Sequence, residues 1–213
     1  MGRLNKGILG GFSGVVGTVV GSNWNGIDYM RSKPARRSAA SYSQAQRDQQ
    51  QKFTRAVAFM QTLGNLTDIT FHAYAVRQTG RNSAISYLLK NAITGSSPLF
   101  SIDYSKVLIS RGNLLMPTGV TAVAGTASRV HFSWTNNGGD GKAKNNDRAV
   151  VVVHCPILNQ SVYSITSATR SAETVSIEVA AFNGYTVHTW IGFLSDDWKL
   201  VANSVYTGQL VIA

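Results

Sequence analysis

The segment Arg129-Val-His-Phe-Ser-Trp-Thr135 alternates polar and apolar residues, with Val130, Phe132 and Trp134 on one face. Successive side chains on a strand point to opposite sides, so the pattern predicts a strand with one buried face. The same texture precedes it near Val120–Ala124. It continues through Arg148–Cys155, Ser161–Thr166, Thr174–Val179, Thr186–Leu194 and Ser204–Ile212. Seven short strands separated by turn residues predict an immunoglobulin- or fibronectin-like β-sandwich over residues 111–213. Trp134 and Trp190 are its natural core aromatics.

Upstream of Gly112 the pattern is different. Ser43-Gln-Ala-Gln46 reads as a capping box. The helix it opens should run to about Leu63 and end at Gly64, with Phe53, Ala56, Val57, Met60 and Leu63 as its apolar stripe. A second helix is expected over Leu66–Arg77, a third over Asn82–Ile93, and a strand over Ile102–Ser110. Leu66, Ile69, Tyr74, Ile85, Leu88 and Leu89 would pack as a small helical core of their own. Before the helices, Val15–Val20 and Ile27–Arg31 flank Asn25-Gly26, a strong hairpin signal. The expected fold class is therefore α+β. Residues 1–110 carry a hairpin (14–31), a basic arm (31–40) and three helices (43–93), followed by the sandwich (111–213).

The chain has 213 residues and a net charge of +10. Thirteen Lys and Arg against four acidic residues lie in the first 110 positions; the remainder holds seven against six. A one-sided basic balance points to an anionic partner such as nucleic acid, a membrane surface or an acidic protein. The candidate contacts are Arg31, Lys33, Arg36 and Arg37, followed by Arg47, Lys52 and Arg55. Pro34 keeps the first four off a helix. Trp24, Tyr29 and Tyr42 flank this run and could stack on bases; alternatively Trp24 and Tyr29 are cross-strand partners in the hairpin. Gly10, Gly11, Gly14 and Gly17 let another backbone approach closely, and with Trp24 they mark an assembly surface.

Catalytic chemistry finds no support. A single cysteine excludes an internal disulfide framework and cysteine-based metal fingers. His72, His131, His154 and His188 are not paired at metal-ligand spacing. Cys155 and His154, adjacent on a strand, face opposite ways, and Cys155 reads as a small buried hydrophobe. The stretch Asn136–Asp147 is rich in oxygen ligands but departs from the calcium-loop pattern, so it is expected to be a flexible inter-strand loop. No G-x-S-x-G, H-E-x-x-H or G-x-G-x-x-G occurs. The expectation is a non-enzyme with no cofactor, metal or small-molecule substrate. The apolar run Ile8–Val20 is broken by glycines and followed by no cleavage site. A soluble protein, cytoplasmic or assembled into a particle, is expected, without a conventional export signal.

Several strings carry a resemblance: Gly7-Ile-Leu-Gly-Gly-Phe-Ser-Gly14-Val-Val-Gly17, Trp24-Asn-Gly26-Ile, Met30-Arg31-Ser, Ser43-Gln-Ala45-Gln46-Arg-Asp-Gln49, Ile102-Asp103-Tyr104-Ser105-Lys106 and Ala202-Asn203-Ser204-Val205-Tyr206. Together they resemble a family of Bacteroidota proteins of unknown function, with no catalytic residues to carry over. More loosely, the opening is similar to segments of phage and mobile-element proteins. These share a Gly-rich hairpin, a basic arm with a proline and a helix opening T-x-x-Q-x-x-x-x-x-F; here Ser43 stands for that Thr. The likeness implies a structural or assembly protein, self-associating and possible to find in virions or mobile elements. Its basic arm would meet a polyanion, an acidic protein or a neighbouring subunit. The alternative is a sequence-nonspecific nucleic-acid-binding protein.

Overall fold

The hairpin signals of the first 32 residues build more sheet than expected. In the structure, a computed structural model, strands β1 (Arg3–Leu4), β2 (Phe12–Val16), β3 (Val19–Trp24) and β4 (Ile27–Ser32) form one antiparallel meander in that order. The structure describes the chain apart from residues 1, 5, 6, 8, 9, 25, 36–40, 166 and 213. Trp24 lies opposite Ile27, so the turn falls where the Asn25-Gly26 signal placed it; Gly26 has φ +86 and its N–H donates to Asn23 Oδ1 at 3.0 Å. The single hairpin expected over 14–31 is the inner part of this four-stranded sheet. The sheet belongs to a compact unit of residues 1–44, and residues 45–213 form a second.

The second unit opens with helix α1 (Gln44–Thr62), followed by α2 (Leu66–Thr70) and α3 (Gly80–Asn91). Gly64, at φ +53, ends the first as its position suggested. Helix α2 is shorter than the Leu66–Arg77 expected. It stops at Thr70, whose Oγ1 donates both to Leu66 O (3.0 Å) and to Ile109 O (2.7 Å), and a single 3₁₀ turn, His72–Tyr74, follows. Helix α3 starts two residues early because Thr79 caps it, its Oγ1 accepting the Asn82 N–H at 3.2 Å.

The strand expected over Ile102–Ser110 is absent. In its place β5 (Ile93–Ser96) and β6 (Leu99–Ile102) form a hairpin turning at Ser97-Pro98. A 3₁₀ turn at Tyr104–Lys106 comes next, with Asp103 Oδ1 accepting the Ser105 N–H at 3.2 Å. Residues 107–110 make no ladder: the Val107 N–H donates to Tyr104 O, Ser110 O accepts from the Ser204 N–H, and side chains serve the rest. Ser204 Oγ accepts the Ile109 N–H at 2.9 Å, and Ser110 Oγ donates to Ala202 O at 2.8 Å.

The sandwich strands are β7 (Thr118–Ala124), β8 (Arg129–Thr135), β9 (Arg148–Cys155), β10 (Gln160–Ser164), β11 (Thr174–Glu178), β12 (Thr186–Leu194) and β13 (Val205–Val211). They match the expected segments to within two residues at each end. Two antiparallel sheets result, ordered β11-β8-β7 and β10-β9-β12-β13. Between them pack Val130, Phe132, Trp134, Val151, Val153, Ile191 and Phe193. The order places strands from both halves of the sandwich side by side, the arrangement of immunoglobulin- and fibronectin-like sandwiches.

Strand β9 departs from alternation: all of its residues from Ala149 to Cys155 are buried. Val150 and Val152, with Trp190 and Leu194 of β12, face outward and are covered by Phe59, Met60, Leu63, Leu66 and Leu88 of the helices. The expected self-contained helical core is therefore half of a core shared with the sandwich. For the same reason the chain does not part at residue 110; its two compact units meet at 44/45. Trp134 lies between the sheets, as expected, while Trp190 lies beneath the helices.

The loop 136–147, expected to be flexible, is anchored by a fully buried arginine. Arg170 donates through Nε to Asp147 Oδ2 (3.1 Å), through Nη1 to Asn137 Oδ1 and through Nη2 to Leu115 O (3.2 Å), and its guanidinium lies 3.8 Å from the Phe193 ring centroid. A buried guanidinium is tolerated only when its donors are satisfied, and here the loop supplies two of the acceptors.

The shared core sets an expectation for unfolding. Leu63→Ala should cost about 3 kcal/mol, and helices and sandwich should melt together. Urea titrations followed by far-ultraviolet circular dichroism and by tryptophan fluorescence should superimpose; two separated transitions would mean two cores.

Candidate functional site

The cross-strand register of the N-terminal sheet sorts its side chains into two faces. Val15 opposes Val20, Ser22 opposes Tyr29 and Trp24 opposes Ile27, and directly opposed residues share a face. Val15, Val20, Trp24, Ile27 and Tyr29 therefore line one side, with Arg31 beside Val20 at its rim. This side is uncovered: Trp24 is 65% exposed, Ile27 63% and Tyr29 43%. Trp24 and Tyr29 share the face but are not cross-strand partners, contrary to one reading of the sequence.

The other face is crossed by the sheet's own chain at Gly11 and Gly21, although Val16, Val19 and Met30 on it are also exposed. A Cβ at Gly21 would stand 2.2 Å from the Phe12 carbonyl oxygen, and one at Gly11 would stand 2.1 Å from Asp28 Cγ. Glycine is required at both because backbone or a short carboxylate side chain fills the space. Asp28 is held there by Asn23, whose Nδ2 donates to Oδ1 at 2.7 Å. Of the glycines expected to mark an assembly surface, Gly11 thus packs inside the unit and Gly17, at φ +58, makes the β2–β3 turn. Gly14 lies in β2 opposite Gly21, and Gly10 donates to Gly7 O at 3.1 Å. Only Trp24 of that set lies on the uncovered face. Val15, Val20, Ile27 and Tyr29 were missed as a set; their alternation about the Asn25-Gly26 turn was the signal that could have found them.

The cationic candidates separate. Arg31 lies in β4 and Lys33 just beyond its end, both in the first unit; Arg36 and Arg37 lie outside the described residues. Arg47, Lys52 and Arg55 all lie on α1 in the second unit. There Arg47 and Arg55 line one cleft of about 560 Å³, with Gln50, Gln51 and Thr54 between them and Pro98 and Phe100 of the β5–β6 hairpin as the facing wall. Lys52 Nζ lies 4.8 Å from the centroid of the Phe100 ring. A second cleft, of about 360 Å³, adjoins it and shares Arg55 and Phe100.

Behind α1 lies a cluster of rings, of which Phe59, His154 and Trp190 are buried and Tyr104, His188 and Tyr206 half-buried. The proton positions around His154 follow from its hydrogen bonds. Thr62 Oγ1 donates to Phe59 O at 2.7 Å, so Ser161 Oγ must donate to Thr62 Oγ1 across 2.6 Å. Ser161 Oγ then accepts from His154 Nδ1 at 2.9 Å, which leaves Nε2 as the bare nitrogen. That Nε2 is buried without a hydrogen-bond partner, so a proton added there would meet no acceptor. Burial, reinforced by His188 nearby, lowers the His154 pKa to about 4. Burial also lowers that of His188, whose Nδ1 lies 2.8 Å from the Tyr206 hydroxyl. His72 is bonded on both sides to carbonyls, Ile69 O at 2.7 Å and Lys199 O at 3.0 Å. Cys155 is buried between the sheets, on the opposite face of β9 from His154. Among the described residues no three His, Cys, Asp or Glu side chains converge, and no helix is long and apolar enough to cross a membrane.

A helix-covered β-sandwich preceded by a small open sheet is thus the class of protein that the fold defines. The chain belongs to a family of unknown function (DUF6266), whose profile matches residues 11–208. No curated protein matches it. Among solved structures it is similar to the fn3 domain of human collagen alpha-1(XX) chain, at 13% identity over 49% of this chain and 93% of that one, with a TM-score of 0.35. It is also similar to the fn3 domain of human contactin 1, at 11% identity over 56% and 93%, with a TM-score of 0.34.

The buried histidines make stability depend on pH in a defined sense. His154 is held neutral in the fold but takes up a proton near pH 6.5 once unfolded, so the unfolded state binds more protons between these values. Its contribution is complete above about pH 6.5 and is lost as pH falls toward 4, on the order of 3 kcal/mol in all. Urea midpoints should fall between pH 7 and pH 4.5, and His154→Gln should flatten that fall. An unchanged slope in the variant would assign the effect elsewhere.

Proposed function

We propose that this protein is a non-enzymatic assembly component whose N-terminal sheet is completed by a second copy of the same chain. What carries the reading is the uncovered face of Val15, Val20, Trp24, Ile27 and Tyr29 in a unit that has no buried apolar side chain among its described residues. An open sheet of this size gains too little by itself to offset the entropy of ordering its strands. Stacking the same face of two copies about a two-fold axis would close it into a layer about 10 Å thick. The face suits a like partner: its centre is apolar, and its charges, Arg3 on β1 and Arg31 on β4, stand toward its edges. The unit of residues 45–213 is then the body that such contacts carry.

Like-charged arms oppose this contact, so added salt should strengthen it by screening them. Light scattering coupled to size exclusion should show a dimer or larger species whose share grows from about 0.05 to 0.5 M salt. Trp24→Ser with Ile27→Lys should return a monomer with unchanged circular dichroism of the second unit. A clean monomer of the unaltered protein at every concentration would end this reading.

A further inference from the structure

Helix α1 supplies a second surface, independent of the N-terminal sheet. Its first three turns are almost wholly exposed, whereas the turns from Ala56 onward bury one side in the shared core. Arg47, Gln50, Gln51, Thr54 and Arg55 recur at the i, i+3, i+4, i+7 and i+8 spacing that aligns residues on one helix face. The row spans about 12 Å, from the 1.5 Å rise per residue. The arginines and glutamines offer hydrogen-bond donors and the two ends are permanently charged, while the Thr54 hydroxyl donates to Gln50 O at 2.9 Å. Asp48, the one acidic residue of α1, does not line the cleft, and among the described residues no other carboxylate does. A face kept only for solubility has no need to exclude acidic residues from a walled cleft.

The facing wall is of the opposite character. Pro98 and the edge of the Phe100 ring, which is only 7% exposed, present carbon to the cleft, and Leu99, 79% exposed, stands at the tip of the same hairpin. Lys52, over the Phe100 ring, adds a third cation at the foot of that wall. A ligand matching both walls has a repeating anion on one side and flat apolar surface on the other. A nucleic-acid strand has this form, with phosphates on one edge and sugars and bases on the other. An acidic peptide has the charge without the flat surface.

We propose that the cleft between α1 and the β5–β6 hairpin binds a single strand of nucleic acid by its backbone. Arg47 and Arg55 pair with phosphates, Gln50 and Gln51 donate to the oxygens between them, and the sugars lie against Pro98 and the exposed edge of Phe100. None of these groups reads a base edge in a fixed register, so binding is independent of sequence. The site lies wholly within residues 45–213 and does not depend on self-association.

The test is fluorescence anisotropy of labelled oligothymidine and oligouridine of about 20 nucleotides, titrated with the full-length protein from low to moderate salt. Binding should weaken steeply with salt, the reverse of the response expected for self-association. Arg47→Glu with Arg55→Glu should weaken it at least about tenfold at low salt and reduce the slope of log affinity against log salt by about two. Lys142→Glu with Lys144→Glu, on a sandwich loop, should leave it unchanged. Should the reversed-charge pair disturb the fold, Arg47→Gln with Arg55→Gln makes the same comparison. The Trp24→Ser, Ile27→Lys protein should bind as the unaltered one does, so a failed assembly reading leaves this outcome legible. The proposal is overturned if neither oligonucleotide binds at low salt, if the arginine variants bind normally, or if polyglutamate of equal length competes as well as nucleic acid.

Discussion

The burial of strand β9 on both faces is the constraint from which the rest of the larger unit follows. Ala149, Val151, Val153 and Cys155 fill the space between the sheets, while Val150, Val152 and His154 look outward into a place that water cannot be allowed to fill. A sandwich normally leaves its outer faces to polar residues. Here the outer face of the four-stranded sheet is a second hydrophobic surface, and it must be roofed. Helix α1 brings Phe59, Met60 and Leu63, α2 brings Leu66, and α3 brings Leu88 to do so. The helices are therefore a layer of the sandwich and not a domain that happens to precede it.

Roofing a sheet has a cost at its polar edges, and the ring cluster shows how it is met. His154 and Ser161 stand where an exposed sheet would have shown them to water. The Ser161 hydroxyl and Thr62 pass hydrogen bonds on to the α1 backbone, so a polar seam joins roof to sheet. The seam ends at His154 Nε2, and the Trp190 indole N–H is likewise unpaired. The Arg170 cluster does the corresponding task at one end of the sandwich, tying a twelve-residue loop to the core through its side chains. In both places a buried polar group fixes which surfaces meet.

Much of the sandwich was legible in the sequence because its signal is local. β8 shows strict alternation over its whole length, and β9 is centred on the β-branched run Val150–Val153 and extends two residues beyond it at each end. The four consecutive valines of β9 also carried a non-local message, since a strand with no polar alternate is buried on both sides. That message was passed over, and with it the union of helices and sandwich. The β5–β6 hairpin was illegible for a different reason. Thr94-Gly-Ser-Ser-Pro98 is turn chemistry throughout, and only Leu99 and Phe100 hint at a strand. The basic residues could be counted from sequence but not grouped; helical spacing alone aligned Arg47 with Arg55, whereas their wall of Pro98 and Phe100 depended on the missed hairpin. The uncovered face needed the register about Asn25-Gly26, which the hairpin signal supplied without saying which side would lack a cover.

Gly11 and Gly21 close one side of the N-terminal sheet so tightly that its strands cannot re-pair in another register to hide the opposite side. The sheet has no internal means of relieving its exposed aromatic surface. Under the assembly proposed above, its folding free energy would depend on how much of the covering surface is in solution and not on the isolated chain alone. Dilution would then loosen the sheet while the larger unit stayed intact, and the order of the sheet would report the local abundance of the proposed second copy.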